Sequence, residues 1–250
     1  MIEILRVTTY NIHKGLSSFN RRMVLHELRE RLASVGADVV FLQEVQGEHE
    51  HRARRFDNWP GKPQHEFIAD AEWGEFAYGK NASYDHGHHG NAILSRFPIS
   101  RWDNEDISAH PLDRRGLLHC EIEVPGWQQP LHCVNVHLGL AARWRRRQLE
   151  ALRKRIERLV PSDAPLVIAG DFNDWRRQAS DELIAGLEVQ EAFEAFGGRP
   201  ARSFPAALPV FPLDRIYVRG FKVKQARVHH GYVWSRLSDH AALTATLMKN

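Results

Sequence analysis

The run Leu166-Val-Ile-Ala-Gly170-Asp171-Phe-Asn173 constrains the fold of this chain more than any other stretch. Its apolar part has no polar alternation, so it reads as a strand buried on both faces that opens onto a site at its carboxyl end. Asp and Asn after a strand also favour plain turns, so the run alone decides nothing. The same design recurs, however. Tyr10-Asn11, Gln43-Glu44 and Val136-His137 each close an apolar strand, and Ser238-Asp239-His240 follows Leu237.

The spacing predicts two strand–helix–strand crossovers. The first is strand 4–10, helix 21–35 and strand 38–45. Leu25, Leu28, Leu32 and Val35 form the apolar stripe of its helix, and Gly36 caps it. The second is strand 131–137, a basic helix and strand 166–170. Strands are also expected at 90–94 and 117–124, with a turn at 125–130. Ligands of such sheets bind beyond the carboxyl ends of the strands, which gathers Asn11, Glu44, His137 and Asp171 on one edge. Asp214 and His240 start strands of opposite direction and reach the same edge.

At 250 residues and 43% hydrophobic content, with no linker or repeat, residues 1–250 are expected to form one domain. The amino terminus lacks the basic-then-apolar pattern of a leader, and no apolar run approaches the length that spans a bilayer. Cys120 and Cys133 show no zinc-site spacing, so a cytoplasmic protein with reduced thiols is expected, with a bridge between neighbouring strands left open. The net charge of +3 hides an uneven distribution. Residues 143–158 carry eight Arg or Lys against Glu150 and Glu157. Leu140, Trp144, Leu149, Leu152, Ile156 and Leu159 supply the apolar stripe of this helix. Its charges read as a solvated face or as a patch for a polyanion, either nucleic acid or an anionic membrane.

These residue types assemble metal-assisted attack on phosphorus. A hard cation such as Mg²⁺ takes oxygen ligands. Glu44 leads that set, with Asn11 beside it and Asp239 as a further contributor. Asp171 suits the base that activates water, while Asn173 and His137 suit donors to phosphoryl oxygens. His240 suits the phosphate or proton transfer, with Asp214 fixing its tautomer. No P-loop and no Gly-x-Ser-x-Gly motif is present.

Tyr10-Asn11-Ile, Leu42-Gln43-Glu44-Val, His137-Leu, Gly170-Asp171-Phe-Asn173, Leu213-Asp214-Arg and Ser238-Asp239-His240 together resemble the endonuclease/exonuclease/phosphatase superfamily. They fall in that superfamily's order across residues 7–247. The resemblance implies a four-layer α/β/β/α sandwich, two sheets flanked by helices, and a Mg²⁺- or Mn²⁺-dependent phosphoesterase. It implies metal roles for Asn11 and Glu44, water and phosphate roles for Asp171 and Asn173, and an Asp214–His240 pair. His137 is implied at the phosphate and Asp239 near the metal. Members differ over whether the Asp-x-Asn aspartate or the final histidine is the base; Asp171 is preferred here. The look is of compact bacterial metal-dependent hydrolases.

Other candidates carry two readings each. His86, His88 and His89 invite a metal, but a polar loop ahead of strand 91–95 is favoured, with His89 or Asn91 lining the substrate cleft. Arg115 fits a bidentate phosphate contact or a salt bridge with Asp113 or Glu121. His13 and Lys14 approach a phosphate or lie on an exposed loop. Trp175 stacks on a base or packs a lipid tail. The Arg202–Pro209 segment is a proline-marked loop over the cleft. A nuclease on DNA or RNA is the first functional expectation. A phosphodiesterase on a phospholipid headgroup or small ester comes second; it needs an exposed apolar lip beside the site, and no membrane hairpin is obvious in the sequence. A non-catalytic nucleic-acid-binding module is last, since all eight expected positions are filled.

Overall fold

The computed structural model describes residues 2–18, 21–176 and 178–250, without the side chains of 178–182. Its strands are β1 (Ile4–Asn11), β2 (Val39–His49), β3 (Glu75–Tyr84), β4 (Gly87–Ser95), β5 (Ile99–Asp106), β6 (Gly116–Ile122), β7 (Leu131–His137), β8 (Leu166–Asp171), β9 (Gln190–Glu191), β10 (Asp214–Arg219), β11 (Phe221–His229) and β12 (Ala242–Lys249). The helices are α1 (Leu25–Val35), α2 (Glu50–Arg55), α3 (Gln64–Ala69), α4 (Ala142–Leu159), α5 (Gln178–Leu187) and α6 (Ala192–Gly197). Two six-stranded sheets result, ordered β11-β12-β1-β2-β4-β3 and β5-β6-β7-β8-β10-β9.

The layers follow from the alternation of side chains along each strand. On β2, Val39 and Phe41 enter the core between the sheets, while Val40 and Leu42 face outward under Leu25, Leu28 and Leu32 of α1. On β8, Val167 and Ala169 point inward, while Leu166 and Ile168 meet Leu149, Leu152 and Ile156 of α4. Both strands are covered twice, which is why their sequences are apolar without a break. The layers are helices, sheet, sheet, helices.

Both expected crossovers are present, with β1–β2 and β7–β8 as the parallel pairs. Helix α1 starts at Leu25 rather than at 21, because residues 16 and 23 form an isolated bridge that closes a loop first. Gly36 caps it in the left-handed conformation at φ 65°. The strand expected at 4–10 is β1, which begins at Ile4 and runs one residue further, and Met1 lies outside the described residues. The stretch read as a polar histidine loop is the start of β4, which pairs with β2 and turns tightly from β3. His88 Nδ1 lies 2.9 Å from the Tyr78 hydroxyl, and no metal-ligand group among the described residues includes these imidazoles. Strands β3, β5, β9 and β11 were not anticipated; each is a sheet edge.

Helix α4 corrects the expected stripe. Arg145, Gln148, Leu149, Leu152, Arg155 and Ile156 are its buried residues, whereas Leu140 and Leu159 are exposed. Arg155 meets Asp103 at 2.7 Å and Glu105 at 2.6 Å on β5. Arg145 lies 3.8 Å from Asp174. Two of the eight cations are therefore structural. Cys120 and Cys133 face each other across β6 and β7 as buried free thiols.

Beneath α4, His119 Nε2 lies 3.0 Å from His132 Nδ1. Burial pushes the His119 pKa down to about 3; His132, Arg155 and Arg101 add to the shift and Asp103 opposes it. A histidine held neutral in the fold binds its proton better when unfolded. Its contribution is thus complete above the unfolded value near pH 6.5 and is lost as pH falls toward the folded value. Melting curves from pH 8 to 4 should show this loss, on the order of 3 kcal/mol by pH 4. His119→Gln should flatten the slope, and equal slopes for both proteins would refute the assignment.

Candidate active site

The site is built where strand ends meet. Asn11 ends β1, and the parallel register sets it beside Gln43, so Glu44 follows on the neighbouring strand. Glu44 sits in a break of register between β2 and β4, with left-handed backbone at φ 56°. His137 and Asp171 are register partners at the ends of β7 and β8. Asp214 opposes Asp171 from the start of antiparallel β10. His240 stands just before β12, which runs antiparallel to β1. Non-glycine residues with positive φ among those described are His13, Lys14, Glu44, Asn173 and Glu188. Four of the five surround this site, where such backbone cost is typically concentrated.

Asp171 is the hub. Its Oδ2 accepts from Asn11 Nδ2 at 3.1 Å and faces His137 Nε2 at 3.4 Å and His240 Nε2 at 3.7 Å. Its Oδ1 accepts from the backbone N–H of Asn173 at 3.0 Å. His240 Nδ1 is 2.8 Å from Asp214 Oδ2, which completes a chain Asp214–His240–Asp171. The ligand-capable atoms of these three residues lie within 4.8 Å of one another. Burial raises the Asp171 pKa; His240 opposes this and Asp214 reinforces it. Burial works against charge on His240 too, but the Asp214 and Asp171 carboxylates outweigh it and raise its pKa. His137 goes the other way: burial, with Arg115 nearby, holds it well below the usual imidazole value. Its contact with Asp171 is therefore that of a neutral ring rather than an ion pair.

Glu44 faces the same space. Burial opposes its ionisation, yet His137, Lys14, His13 and His240 bring its pKa down to about 2. Its Oε2 makes no hydrogen bond, although Lys14 Nζ lies 3.3 Å away. Asp214 Oδ1 is likewise buried without a hydrogen-bond partner. A buried, ionised carboxylate oxygen with spare coordination, beside the amide of Asn11, is the donor chemistry that a hard divalent cation requires.

The cleft above these groups encloses about 560 Å³. Glu44, Arg115, His137, Asp171, Asn173 and His240 line one part, while Leu140, Trp175, Phe204, Phe211 and Leu213 line the other. Arg115 lines the cleft while paired with Asp113 at 2.8 Å, so the expected salt bridge is present at the cleft wall. The Asn173 side chain gives an amide hydrogen to Leu138 O at 2.9 Å. Of the expected residues, Asn11 and Asp214 stand behind the lining, bonded to Asp171 and His240, and two others are placed apart from them. Asn91 is buried, its amide bonded across the sheets to Gly116 O at 3.1 Å. Asp239 is one third exposed and faces His13 Nδ1 at 3.7 Å.

Several supporting residues were missed. Ser238 Oγ donates to Asn11 O at 2.7 Å and accepts from the His240 N–H at 3.2 Å. Ser203 Oγ accepts from the Asp214 N–H at 3.1 Å. Gln43 and Asn135 bond at 2.8 Å between the sheets, and Asn135 donates on to Leu42 O and Ala92 O. Gln43, Asn135 and Ser238 lie within or beside the recognised motifs, and an apolar strand carrying one amide was the available signal.

Comparison with known proteins accords with this architecture. A model of the Endonuclease/Exonuclease/phosphatase family matches residues 8–240. The uncharacterised protein YbhP of Escherichia coli K12 is 45% identical over 242 residues, 97% of this chain and 95% of its own. Among solved structures, an endonuclease/exonuclease/phosphatase from Beutenbergia cavernae superposes with a TM-score of 0.77 at 20% identity, over 100% of this chain and 72% of its own. D. rerio TDP2, complexed with single strand DNA product, gives 0.72 at 20% identity over 98% of both chains. At such identity the structural matches speak for the fold. The family model and the close relative go further: the chain belongs to the endonuclease/exonuclease/phosphatase family.

Proposed function

We propose that residues 1–250 act as one phosphodiesterase domain that uses a divalent cation, Mg²⁺ or Mn²⁺, and an activated water. Family membership supports a phosphoric ester hydrolase, and one observation carries the finer reading. Asp171 sits buried at the centre of one cleft, with Asn11, His137, Asn173 and the Asp214–His240 pair directed onto its two oxygens.

Glu44 and Asn11 would hold the cation, with Asp239 at its outer side; the bound cation would offset charge on the phosphoryl oxygens. Asp171 takes the proton of the attacking water, its free directions set by Asn11 and by the Asn173 backbone. His240, fixed by Asp214, and neutral His137 donate to phosphoryl oxygens as charge builds on them. Arg115 holds a phosphate oxygen at the open side. The new P–O bond forms from water, the ester P–O bond breaks, and the departing oxygen takes the proton that His240 carries.

Nucleic acid is one substrate class, supported by the exposed arginines of α4 and by the DNA product carried by a protein of the same fold. A phospholipid headgroup or small phosphate ester is the second, and the apolar part of the cleft lining favours it. The deciding experiment compares wild type with Asp171→Asn on DNA, RNA, phospholipid vesicles and bis-p-nitrophenyl phosphate, with Mg²⁺, Mn²⁺ or EDTA. Metal-dependent turnover that vanishes in the variant is expected. No turnover of any ester would refute the reading.

Glu44→Gln should weaken metal binding more than chemistry. Mn²⁺ titrated calorimetrically should bind at least ~10-fold more weakly, the loss typical even of an outer-shell partner. The concentration for half-maximal rate should rise in parallel. Unchanged Mn²⁺ affinity would remove Glu44 from the metal site.

A further inference from the structure

Four loops rim the cleft, and each exposes large apolar side chains. Leu112 comes from loop 110–115, Leu140 from the loop after β7, Trp175 from the loop after β8, and Leu208 and Phe211 from the loop before β10. Leu112, Leu208 and Leu140 are 90%, 72% and 64% exposed. Loop 110–115 packs directly on the next one, because a Cβ on Gly139 would lie 2.3 Å from Asp113 Oδ2 and His110 stacks on Trp144 at 4.7 Å. Leu208 projects from a loop closed by the Phe204–Phe211 bridge. Leu140, Phe204, Phe211 and Leu213 continue the apolar surface into the cleft beside Asp171 and His240. One exposed leucine needs no explanation, but apolar groups on four loops around one opening mark an interaction surface.

Charge on these loops and on the first two turns of α4, residues 142–149, has one sign. Arg114, Arg143, Arg146, Arg147, Arg176 and Arg202 are exposed. The carboxylates on these segments, Asp113 and Asp174, are turned inward toward Arg115 and Arg145 at 2.8 and 3.8 Å.

We infer that this rim docks on an anionic phospholipid bilayer and delivers a headgroup phosphodiester to the cleft, an inference that rests on the phosphodiesterase reading. Arginines alone suit a nucleic acid equally well, and the leucines decide between the two. A leucine has no π-face for a base and no hydrogen for a phosphate, whereas it gains free energy on leaving water for acyl chains. The arginines supply long-range attraction to anionic lipid. Leu112 and Leu208 stand outside the cleft and make first contact.

The test is co-sedimentation of the full chain with vesicles of phosphatidylglycerol and phosphatidylcholine, against phosphatidylcholine alone, at about 0.15 M salt. Single-stranded DNA serves as the competing ligand. Binding to the anionic vesicles is expected, and Leu112→Asp with Leu208→Asp should weaken it by about 10-fold or more. Circular dichroism and melting confirm that the variant is folded. Leu112→Ala with Leu208→Ala, which adds no charge, should weaken binding in the same direction. No sedimentation with anionic vesicles would overturn the inference. So would equal binding by the leucine variants, or DNA binding that excludes vesicles and ignores the leucines. Vesicle binding is read apart from turnover. Failed docking with intact hydrolysis of bis-p-nitrophenyl phosphate removes only the surface, while docking without turnover of any ester removes only the phosphodiesterase reading.

Discussion

Asp171→Asn should lower kcat by about 10³-fold or more while the protein stays folded and melts no lower than wild type. The activity loss follows from geometry. The amide keeps the size of the carboxyl and can still accept from the Asn173 N–H, but it cannot take a proton from water. Stability runs the other way. Burial, reinforced by Asp214, raises the Asp171 pKa in the fold. A carboxyl that binds its proton more tightly when folded works against folding once pH rises above the unfolded value near 4. At neutral pH the asparagine removes that cost, as expected where a site holds a group for chemistry rather than for stability. The measurement is kcat on bis-p-nitrophenyl phosphate together with a melting curve at pH 7.5. Near-native kcat would displace Asp171 as base. A steep fall in melting temperature would make Asp171 a structural hub instead.

What was legible in the sequence is what burial forces. Strands β2 and β8 are covered on both faces and carry the unbroken apolar runs 39–42 and 166–169. Strands β1 and β7 stay largely apolar around Arg6, Thr8, Thr9, His132 and Asn135, so the polar residue at the end of each strand stands out. Asn11, Glu44, His137 and Asp171 were readable for that reason, and the two crossovers placed them on one edge. Strands β3, β5 and β11 were illegible because each is a sheet edge with a wetted face, which breaks the apolar pattern. The stripe of α4 misled for a different reason. An apolar template cannot anticipate that Arg145 and Arg155 are buried, because their partners Asp174, Asp103 and Glu105 lie on other elements. Asn91 had the right strand but the wrong direction, pointing to Gly116 between the sheets. The apolar rim was hidden in loops. Leu112, Leu140 and Leu208 sit singly among prolines, glycines and arginines, and only the fold brings them around one opening.

The Asp214–His240 pair should behave as one unit in a double-mutant cycle. His240→Ala should lower kcat by about 10²–10⁴-fold, the range of a positioned proton-transfer group, and also destabilise the fold by about 3–5 kcal/mol. The second effect follows from burial. Asp171 and Asp214 are each 1% exposed, and removing the imidazole leaves two carboxylates with no charge between them. Asp214→Asn is milder for stability, because an amide oxygen can still accept from Nδ1 while the charge that raises the His240 pKa is lost. Its activity should nevertheless fall by about 10²-fold or more, since the imidazole is no longer held ready to donate toward the phosphoryl oxygens. Once either member is gone, the other has little left to contribute. The double variant should therefore be no more than about 10-fold slower than His240→Ala alone, and more stable than it because one stranded carboxylate has been removed. Additive losses in kcat would separate the two residues, leaving Asp214 to hold β10 in register with β8 and His240 to act on its own.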